Sequence, residues 1–221
     1  MNAGLILAGG IGARVKGYDV PKQFIKVDDK TIISYCLKTF EKCSEIDIIC
    51  VVSEVKWHSL IGDYLFAEPG ITRQHSIYNG LLALKQYSPR YVMIHDAARP
   101  LVTVENINEY IKVSAEYDGA TPTLPVNETI YYSFNGRTIA STLARDQIFI
   151  GQTPECYNFE KYLAAHEQFY EMLGEFRGSS TIAVNAGMKI ARAEGNPGNF
   201  KITTNADIER FREIIEKVEE I

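Results

Sequence analysis

Cysteine is scarce in this 221-residue chain, and its four cysteines lie far apart. Cys36, Cys43, Cys50 and Cys156 include no Cys-x-x-Cys pair, so their spacing argues against both a zinc site and a disulfide framework. No apolar run reaches the ~18 residues of a membrane span, and no cationic segment precedes the first apolar stretch. We therefore expect a soluble, cytoplasmic protein with reduced thiols.

The chain also lacks an excess of positive charge. Its 23 Lys and Arg residues stand against 28 Asp and Glu residues, which gives a formal net charge of −5. Such a balance disfavours binding to nucleic acid or to anionic membranes, but it allows a local basic site for a small anion. The length favours a single domain that spans residues 1–221.

Strand and helix patterns alternate along most of the chain. Short apolar runs predict strands at residues 4–7, 46–52, 91–94, 119–126 and 188–193. Apolar residues at helical spacing predict helices at residues 31–43, 75–87, 103–116, 158–173 and 205–219. This order predicts an α/β fold, Rossmann-like, with a doubly wound and mostly parallel sheet that binds ligands at the carboxyl ends of its strands.

The pattern changes between residues 127 and 150. Residues 129–134 and 137–143 alternate in polarity around Asn135-Gly136, a dipeptide typical of two-residue hairpin turns. We predict that this segment forms a β-arm that protrudes from the domain. Because a protruding hairpin exposes its strand edges, we expect the arm to pair two subunits in a homodimer.

The first predicted strand ends in a glycine-rich segment, Leu-Ala-Gly-Gly-Ile-Gly-Ala-Arg at residues 7–14. Glycines let backbone amides approach an anion closely, and Arg14 adds a positive charge. The segment lacks the third glycine of a Rossmann fingerprint and the Gly-Lys-Ser/Thr of a Walker loop. Lys22, which follows Pro21, could reach a phosphate, although an isolated lysine of this kind is usually only solvated. The two features together predict an anion site.

Further motifs follow in order: Pro-Lys-Gln-Phe at 21–24, His-Asp-Ala-Ala-Arg-Pro at 95–100, Thr129, Arg145, Gln-Thr-Pro at 152–154 and Lys-Ile-Thr-Thr at 201–204. With residues 7–14, this series resembles the cytidylyltransferases that act on methylerythritol 4-phosphate or ribitol 5-phosphate. The resemblance spans almost the whole chain. It implies a nucleotide-binding α/β domain, a β-arm that pairs two subunits, and Mg²⁺ as cofactor.

The resemblance also implies a role for each matched residue. Arg14 and Lys22 would be catalytic, because they would hold the triphosphate of CTP and stabilise charge as its α-phosphate is attacked. The residues that would bind CTP are Leu7, Ala8, Gly9, Gly10, Ile11, Gly12, Gly70, Ile71, Thr72, Arg73, Ser76 and Asp96. The residues that would hold the phosphate of the acceptor are Thr129, Arg145, Thr153 and Lys201. Asp96 would also contact the metal.

Structural interpretations stand beside these roles. Asp96 could be a turn former or helix cap, Arg99 could simply pair with Asp96, and Arg145 could be an ordinary surface arginine on the arm. We expect His95 to pack in the core rather than to transfer protons. The reaction hardly needs a base, because the attacking phosphate oxygen is already ionised at neutral pH.

One segment departs from the family pattern. The family usually carries Thr-Asp and a small residue ahead of its last strand, whereas this chain has Arg-Gly-Ser-Ser-Thr at residues 177–181. Hydroxyls of Ser179, Ser180 or Thr181 could contact the acceptor instead, and Arg177 adds positive charge. The departure concerns the acceptor and a metal contact rather than the nucleotide.

The sequence thus predicts transfer of CMP from CTP to a polyol phosphate, with release of pyrophosphate. Residues 7–10 and 151–154 favour ribitol 5-phosphate, as in cell-wall or capsule synthesis. Residues 95–100 look more like the methylerythritol 4-phosphate enzymes of isoprenoid synthesis, which is the alternative. A non-catalytic nucleotide sensor is a further hypothesis, and the retained acceptor residues Arg145 and Lys201 argue against it.

Overall fold

The computed structural model describes residues 1–10 and 15–219, with side chains of the last helix described to residue 217. The strands are β1 (Asn2–Leu7), β2 (Lys26–Val27), β3 (Lys30–Thr31), β4 (Ile48–Val52), β5 (Leu65–Ala67), β6 (Tyr91–Asp96), β7 (Gly119–Pro125), β8 (Ile130–Tyr132), β9 (Ser141–Leu143), β10 (Phe149–Gly151), β11 (Glu155–Asn158) and β12 (Ile190–Glu194). The α-helices are α1 (Ile32–Lys42), α2 (His58–Ile61), α3 (Arg73–Leu84), α4 (Val104–Ser114), α5 (Phe159–Gln168), α6 (Ser179–Asn185) and α7 (Asn205–Glu219).

A mixed, mostly parallel sheet forms the centre of the molecule, in the order β10-β7-β11-β6-β1-β4-β5, with β12 paired to β7. Strand β1 runs parallel to both β4 and β6, and β4 runs parallel to β5. Strand β11 is antiparallel to β6 and β7. The predicted α/β class is therefore confirmed, and β5, β10 and β11 are strands that the sequence patterns did not predict.

Helices cover both faces of this sheet. Because successive side chains of a strand point to opposite faces, Leu5 and Ile6 of β1 enter two different cores. Ile6 packs with residues of α1 and α4 such as Phe40 and Tyr110. Leu5 packs with residues of α3 and α5 such as Ile77. The sheet is thus doubly wound, as predicted.

Helix α7 packs separately against the segment around β2 and β3. Phe211, Ile208 and Ile202 share a buried cluster with Ile25 and Ile32. This packing fixes the segment just before α7 next to the residues that follow the glycine-rich segment. Residues from distant parts of the chain are therefore brought to one end of β1.

The β-arm has shorter strands and a longer turn than predicted. Ile130 pairs with Leu143 and Tyr132 with Ser141, so residues 133–140 form the loop and the predicted two-residue turn at Asn135-Gly136 is wrong. Asn135 Oδ1 accepts hydrogen bonds from the amides of Arg137 and Thr138, at 2.9 and 3.0 Å. Because Asn135 binds these amides locally, they do not join the ladder between the strands.

The arm exposes apolar side chains along its length. Tyr131 is 57% exposed, Phe134 84% and Ile139 66%. The role of the arm in pairing two subunits stays a prediction. Over the described part of the chain, no helix is both long and apolar enough to cross a membrane.

Candidate active site

A cleft of about 480 Å³ opens where β1 and β6 end. Carboxyl ends of parallel strands meet at one edge of a sheet, which is where α/β folds bind ligands. The residues that line the cleft are Leu7, Gly9, Gly10, Lys22, Gln23, Gly70, Ile71, Thr72, Arg73, Ser76, Asp96, Ala97, Ala98, Lys201 and Thr203. Most residues predicted to bind CTP lie in this set, together with Lys22 and Lys201.

Some predicted residues lie elsewhere. Ala8 is buried and is not among the lining residues. Ile11, Gly12 and Arg14 lie outside the described residues. The predicted roles of these residues stay predictions.

Lys22 and Gln23 connect the glycine-rich segment to the segment before α7. Lys22 Nζ donates a hydrogen bond of 2.6 Å to the carbonyl of Ile202. Gln23 is buried, and its Nε2 donates to the carbonyls of Ala8 and Gly10, at 2.5 and 2.8 Å. No role for Gln23 was predicted, although its place directly after Lys22 in a matched motif was a usable signal. Gln23 holds the backbone at the start of the glycine-rich segment.

The opposite wall of the cleft is the turn that leads into α3. Thr72 caps this helix by accepting from the amide of His75. Ser76 Oγ accepts from the amide of Gly70 at 3.0 Å and donates to the carbonyl of Thr72 at 3.1 Å. A Cβ atom on Gly70 would lie 2.3 Å from Cβ of His75. Ser76 and Gly70 therefore shape this wall, and a side chain at position 70 would distort it.

Asp96 lies between cations at the end of β6. Its Oδ2 is 2.7 Å from Lys201 Nζ, and its Oδ1 is 3.2 Å from Arg73 Nη2. Burial would raise the pKa of Asp96, but Arg73, Lys201 and Arg99 together hold that pKa well below its usual range. Asp96 is therefore ionised at neutral pH, and it orients Arg73 and Lys201 across the cleft.

Thr153 lies behind Asp96 rather than on the cleft wall. Its Oγ1 accepts from the amide of Asp96 at 3.1 Å and lies 3.3 Å from His95 Nδ1. His95 is fully buried, and burial lowers its pKa to about 4. His95 packs in the core, as expected, and Thr153 supports the end of the strand that presents Asp96.

Arg73 has a second partner in the segment that departs from the family pattern. Its Nη1 donates to the hydroxyl of Ser179, which is buried. The neighbouring hydroxyl of Ser180 donates to Glu155 Oε1 at 2.7 Å. The hydroxyls of Ser179 and Ser180 thus have partners within the protein, and the suggestion that they or Thr181 contact the acceptor stays a prediction.

Thr129 and Arg145 lie on the arm, and both are exposed. Neither lines the cleft of its own chain. Arg145 Nη1 donates to the carbonyl of Asn127 at 3.0 Å. A contact of these residues with an acceptor would need the cleft of a second subunit, and this role stays a prediction.

Asp96 is the one acidic side chain that lines the cleft within residues 1–10 and 15–219. In the same part of the chain no three His, Cys, Asp or Glu side chains are grouped to hold a metal. Mg²⁺ is often bound by one or two carboxylates, with phosphates and water as its other ligands. A single ionised Asp96 in a cleft that Lys22 and Lys201 also line fits that chemistry.

A family model described as "IspD: 2-C-methyl-D-erythritol 4-phosphate cytidylyltransferase" matches residues 3–217. The chain belongs to this family. It is 35% identical to the 2-C-methyl-D-erythritol 4-phosphate cytidylyltransferase of Petrotoga mobilis, over 96% of this chain and 97% of that protein. The chain is accordingly a CTP-dependent nucleotidyltransferase by family, which disfavours the sensor hypothesis.

Two further relatives extend the comparison. The chain is 32% identical to the bifunctional enzyme IspD/IspF of Brucella anthropi, over 94% of this chain but only 53% of that protein. It superposes on a crystal structure of the Francisella tularensis 2-C-methyl-D-erythritol 4-phosphate cytidylyltransferase with a TM-score of 0.82 and 27% identity. That superposition covers 95% of this chain and 97% of the other. The names of these relatives favour the methylerythritol alternative over the ribitol prediction.

Proposed function

We propose that this chain transfers CMP from CTP to 2-C-methyl-D-erythritol 4-phosphate and releases pyrophosphate. The observation that carries this proposal is the cleft in which Asp96 orients Arg73 and Lys201, with Lys22 also on its lining. Cations that are fixed before the reaction stabilise developing charge without reorganisation. The positively charged residues that line the cleft, together with the family, support a nucleoside triphosphate as the ligand.

The chemistry is a displacement at the α-phosphate of CTP. An oxygen of the acceptor's phosphate attacks this phosphorus, the bond to the β-phosphate breaks, and pyrophosphate leaves with the bonding electrons. The attacking oxygen is ionised already, so positioning and charge neutralisation supply the catalysis. Lys22 is suited to neutralise the triphosphate, and Arg73 and Lys201 bring further positive charge to the same cleft.

The turn at residues 70–76 is the proposed site of the cytosine base. Its geometry is fixed by Ser76 and Gly70, so its backbone groups are presented in one arrangement. Discrimination against uracil would arise because the wrong base edge leaves buried polar groups unpaired. We expect CTP to be the substrate nucleotide.

The acceptor is assigned from the relatives. The relatives from Petrotoga mobilis and Francisella tularensis carry the methylerythritol name, which supports that acceptor over ribitol 5-phosphate. The motif differences at residues 7–10 and 151–154 were the grounds for the ribitol prediction. Thr153 is buried behind Asp96 and is not among the residues that line the cleft, so the motif at residues 151–154 is weak support for a particular polyol.

Two further elements belong to the proposal. Mg²⁺ would be held by Asp96 and the nucleotide's phosphates, and it would add positive charge that offsets the charge of the triphosphate. A homodimer would form through the arm and would bring Arg145 and Thr129 to the acceptor side of the neighbouring cleft. The exposed Tyr131, Phe134 and Ile139 support such a contact.

Pyrophosphate release tests the proposal. The purified protein with Mg²⁺ would be supplied with CTP or UTP and with methylerythritol 4-phosphate, ribitol 5-phosphate or no acceptor. We expect rapid release only with CTP and methylerythritol 4-phosphate. Faster release with ribitol 5-phosphate would reassign the acceptor. Equal rates with UTP and CTP would contradict the assignment of residues 70–76 to the cytosine base. No release with any pair of substrates would contradict the proposed cytidylyltransferase activity.

A further inference from the structure

Two side-chain hydrogen bonds, made by adjacent serines, link the cleft to the core behind Arg73. Arg73 Nη1 donates to Ser179 Oγ, and Ser180, the next residue, donates to Glu155 Oε1 at 2.7 Å. Two adjacent hydroxyls in the first turn of α6 therefore connect a cation of the cleft to a buried carboxylate on β11.

Glu155 is held firmly in this place. It is 6% exposed, and its Oε1 also accepts from Tyr157 at 3.1 Å. Glu155 lies opposite Ile94 in the β11–β6 register, two residues before Asp96. Strand β11 therefore fixes the carboxylate relative to the strand that presents Asp96.

The first turn of α6 is held from the core side as well. Ser180 Oγ lies 2.9 Å from Thr121 Oγ1 on β7, and Tyr162 donates to the carbonyl of Ser179 at 3.2 Å. Each of these bonds restricts where the hydroxyl of Ser179 can lie. Arg73 thus has one planar guanidinium held at two places, by Asp96 through Nη2 and by Ser179 through Nη1.

We propose that Glu155 is a positioning residue: by accepting from Ser180 it fixes the start of α6, and through Ser179 it fixes the orientation of Arg73 for the nucleotide. Glu155 is not among the residues that line the cleft, so it would act on the nucleotide only through Arg73. The segment at residues 177–181, which departs from the family pattern, is then part of the nucleotide site's support. The inference deepens the proposed function, since it takes CTP as the nucleotide.

Two substitutions separate the hydrogen bond from the charge. Glu155→Gln removes the charge but keeps an acceptor for Ser180, whereas Glu155→Met removes both. Loss of a buried negative charge alone would favour an anionic nucleotide in both variants. We expect CTP, measured by calorimetry, to bind at least about fivefold more weakly to Glu155→Met than to Glu155→Gln, a typical size for one coupled interaction.

A double-mutant cycle shows whether the effect passes through Arg73. The same pair would be compared in an Arg73→Lys background, which cannot make both guanidinium contacts. We expect the difference between Met and Gln to vanish there. Ser180→Ala leaves the charges unchanged and should weaken CTP binding about as much as Glu155→Met does. It is the second variant to test if the Glu155→Met protein does not fold. Glu194→Gln, an exposed charge removal on β12, is the control.

Three results would overturn the proposal: equal CTP affinities of the Met and Gln variants, a difference that persists in Arg73→Lys, or wild-type affinity in Ser180→Ala. A merely structural role would lower the melting temperature and leave the affinity of the folded protein unchanged. These readouts need no acceptor. Absence of turnover with methylerythritol 4-phosphate would therefore contradict the proposed function and would not affect the test of Glu155.

Discussion

Lys201 Nζ lies 2.7 Å from Asp96 Oδ2, although the two residues are 105 positions apart in the chain. The packing of α7 through Phe211 and Ile208 holds the segment that carries Lys201. The same segment supplies the carbonyl of Ile202 to Lys22. The charged wall of the cleft therefore depends on how the C-terminal helix docks.

Replacing Lys22 with Ala should lower kcat by on the order of a hundredfold or more, the usual scale for one preorganised group at a transition state. Lys22 lines the cleft, and its ammonium is oriented by Ile202. Steady-state pyrophosphate release measures the effect. The exposed Lys26, four residues later, gives the control Lys26→Ala, which should keep normal turnover. Near-normal kcat in Lys22→Ala would remove Lys22 from the catalytic site.

Replacing Gly70 with Ala should weaken CTP binding by about tenfold or more, because a displaced wall loses several contacts at once. The added Cβ would lie 2.3 Å from Cβ of His75 and 2.7 Å from its carbonyl carbon, so the backbone must move. Calorimetric titration with CTP measures the loss. Gly151→Ala is the matched control, since a Cβ there meets nothing within 4 Å. Equal CTP affinities of the two variants would contradict the role of this wall.

Arg145 should act across a dimer. Arg145→Ala is expected to raise the KM for the acceptor and to leave CTP binding largely intact, because a planar guanidinium can hold two phosphate oxygens at once. Arg137→Ala, on the loop of the same arm, is the control. When Arg145→Ala and Lys22→Ala subunits are mixed and exchange, one site of each heterodimer has both lesions and the other has neither. Activity should partly return, and verified exchange without recovery would exclude the trans role.

Stability should fall as the pH drops from about 6.5 to 4. Burial lowers the pKa of His95 and of His166 to about 4, whereas in the unfolded chain both titrate near their usual value of about 6.5. In that window the unfolded chain binds the protons, so each histidine costs up to about 1.4 kcal/mol per pH unit. Because the pKa of Asp96 is lowered in the folded protein, the stability that this carboxylate contributes is lost only below about pH 4.

Urea unfolding between pH 7.5 and 4.5 measures this loss. Between about pH 6.5 and 4, His166→Gln should reduce the slope of the unfolding free energy against pH by up to about 1.4 kcal/mol per pH unit, the contribution of one histidine. A free energy of unfolding that stays constant down to pH 5 would contradict the burial of both histidines in their neutral form.

Sequence patterns predicted the parts of the fold that hydrophobic periodicity controls. Strands β1, β4 and β6 are near-continuous apolar runs, and each was predicted close to its observed range. Strand β11 was not predicted, because Glu155-Cys-Tyr-Asn is short and has a polar residue at each end. It is buried because it lies between β6 and β7, where Cys156 and Tyr157 enter the two apolar cores. The arm's turn was mispredicted because Asn135 binds the following amides, which residue type alone does not show.

The site was predictable where the motif residues themselves line the cleft. Lys22, Arg73, Asp96 and Lys201 all do so. The supporting residues Gln23 and Glu155 were missed as functional residues, since each acts through a contact with a distant element that only the folded chain reveals.

A competition between two acceptors shows which polyol phosphate the protein uses. The protein with Mg²⁺ and limiting CTP would receive methylerythritol 4-phosphate and ribitol 5-phosphate at equal concentrations, and mass spectrometry would identify the nucleotide product. Competition reports the ratio of the two kcat/KM values. We expect the CDP derivative of methylerythritol to dominate and Lys22→Ala to form little of either product. A dominant CDP-ribitol product, or no CDP-polyol at all, would contradict it.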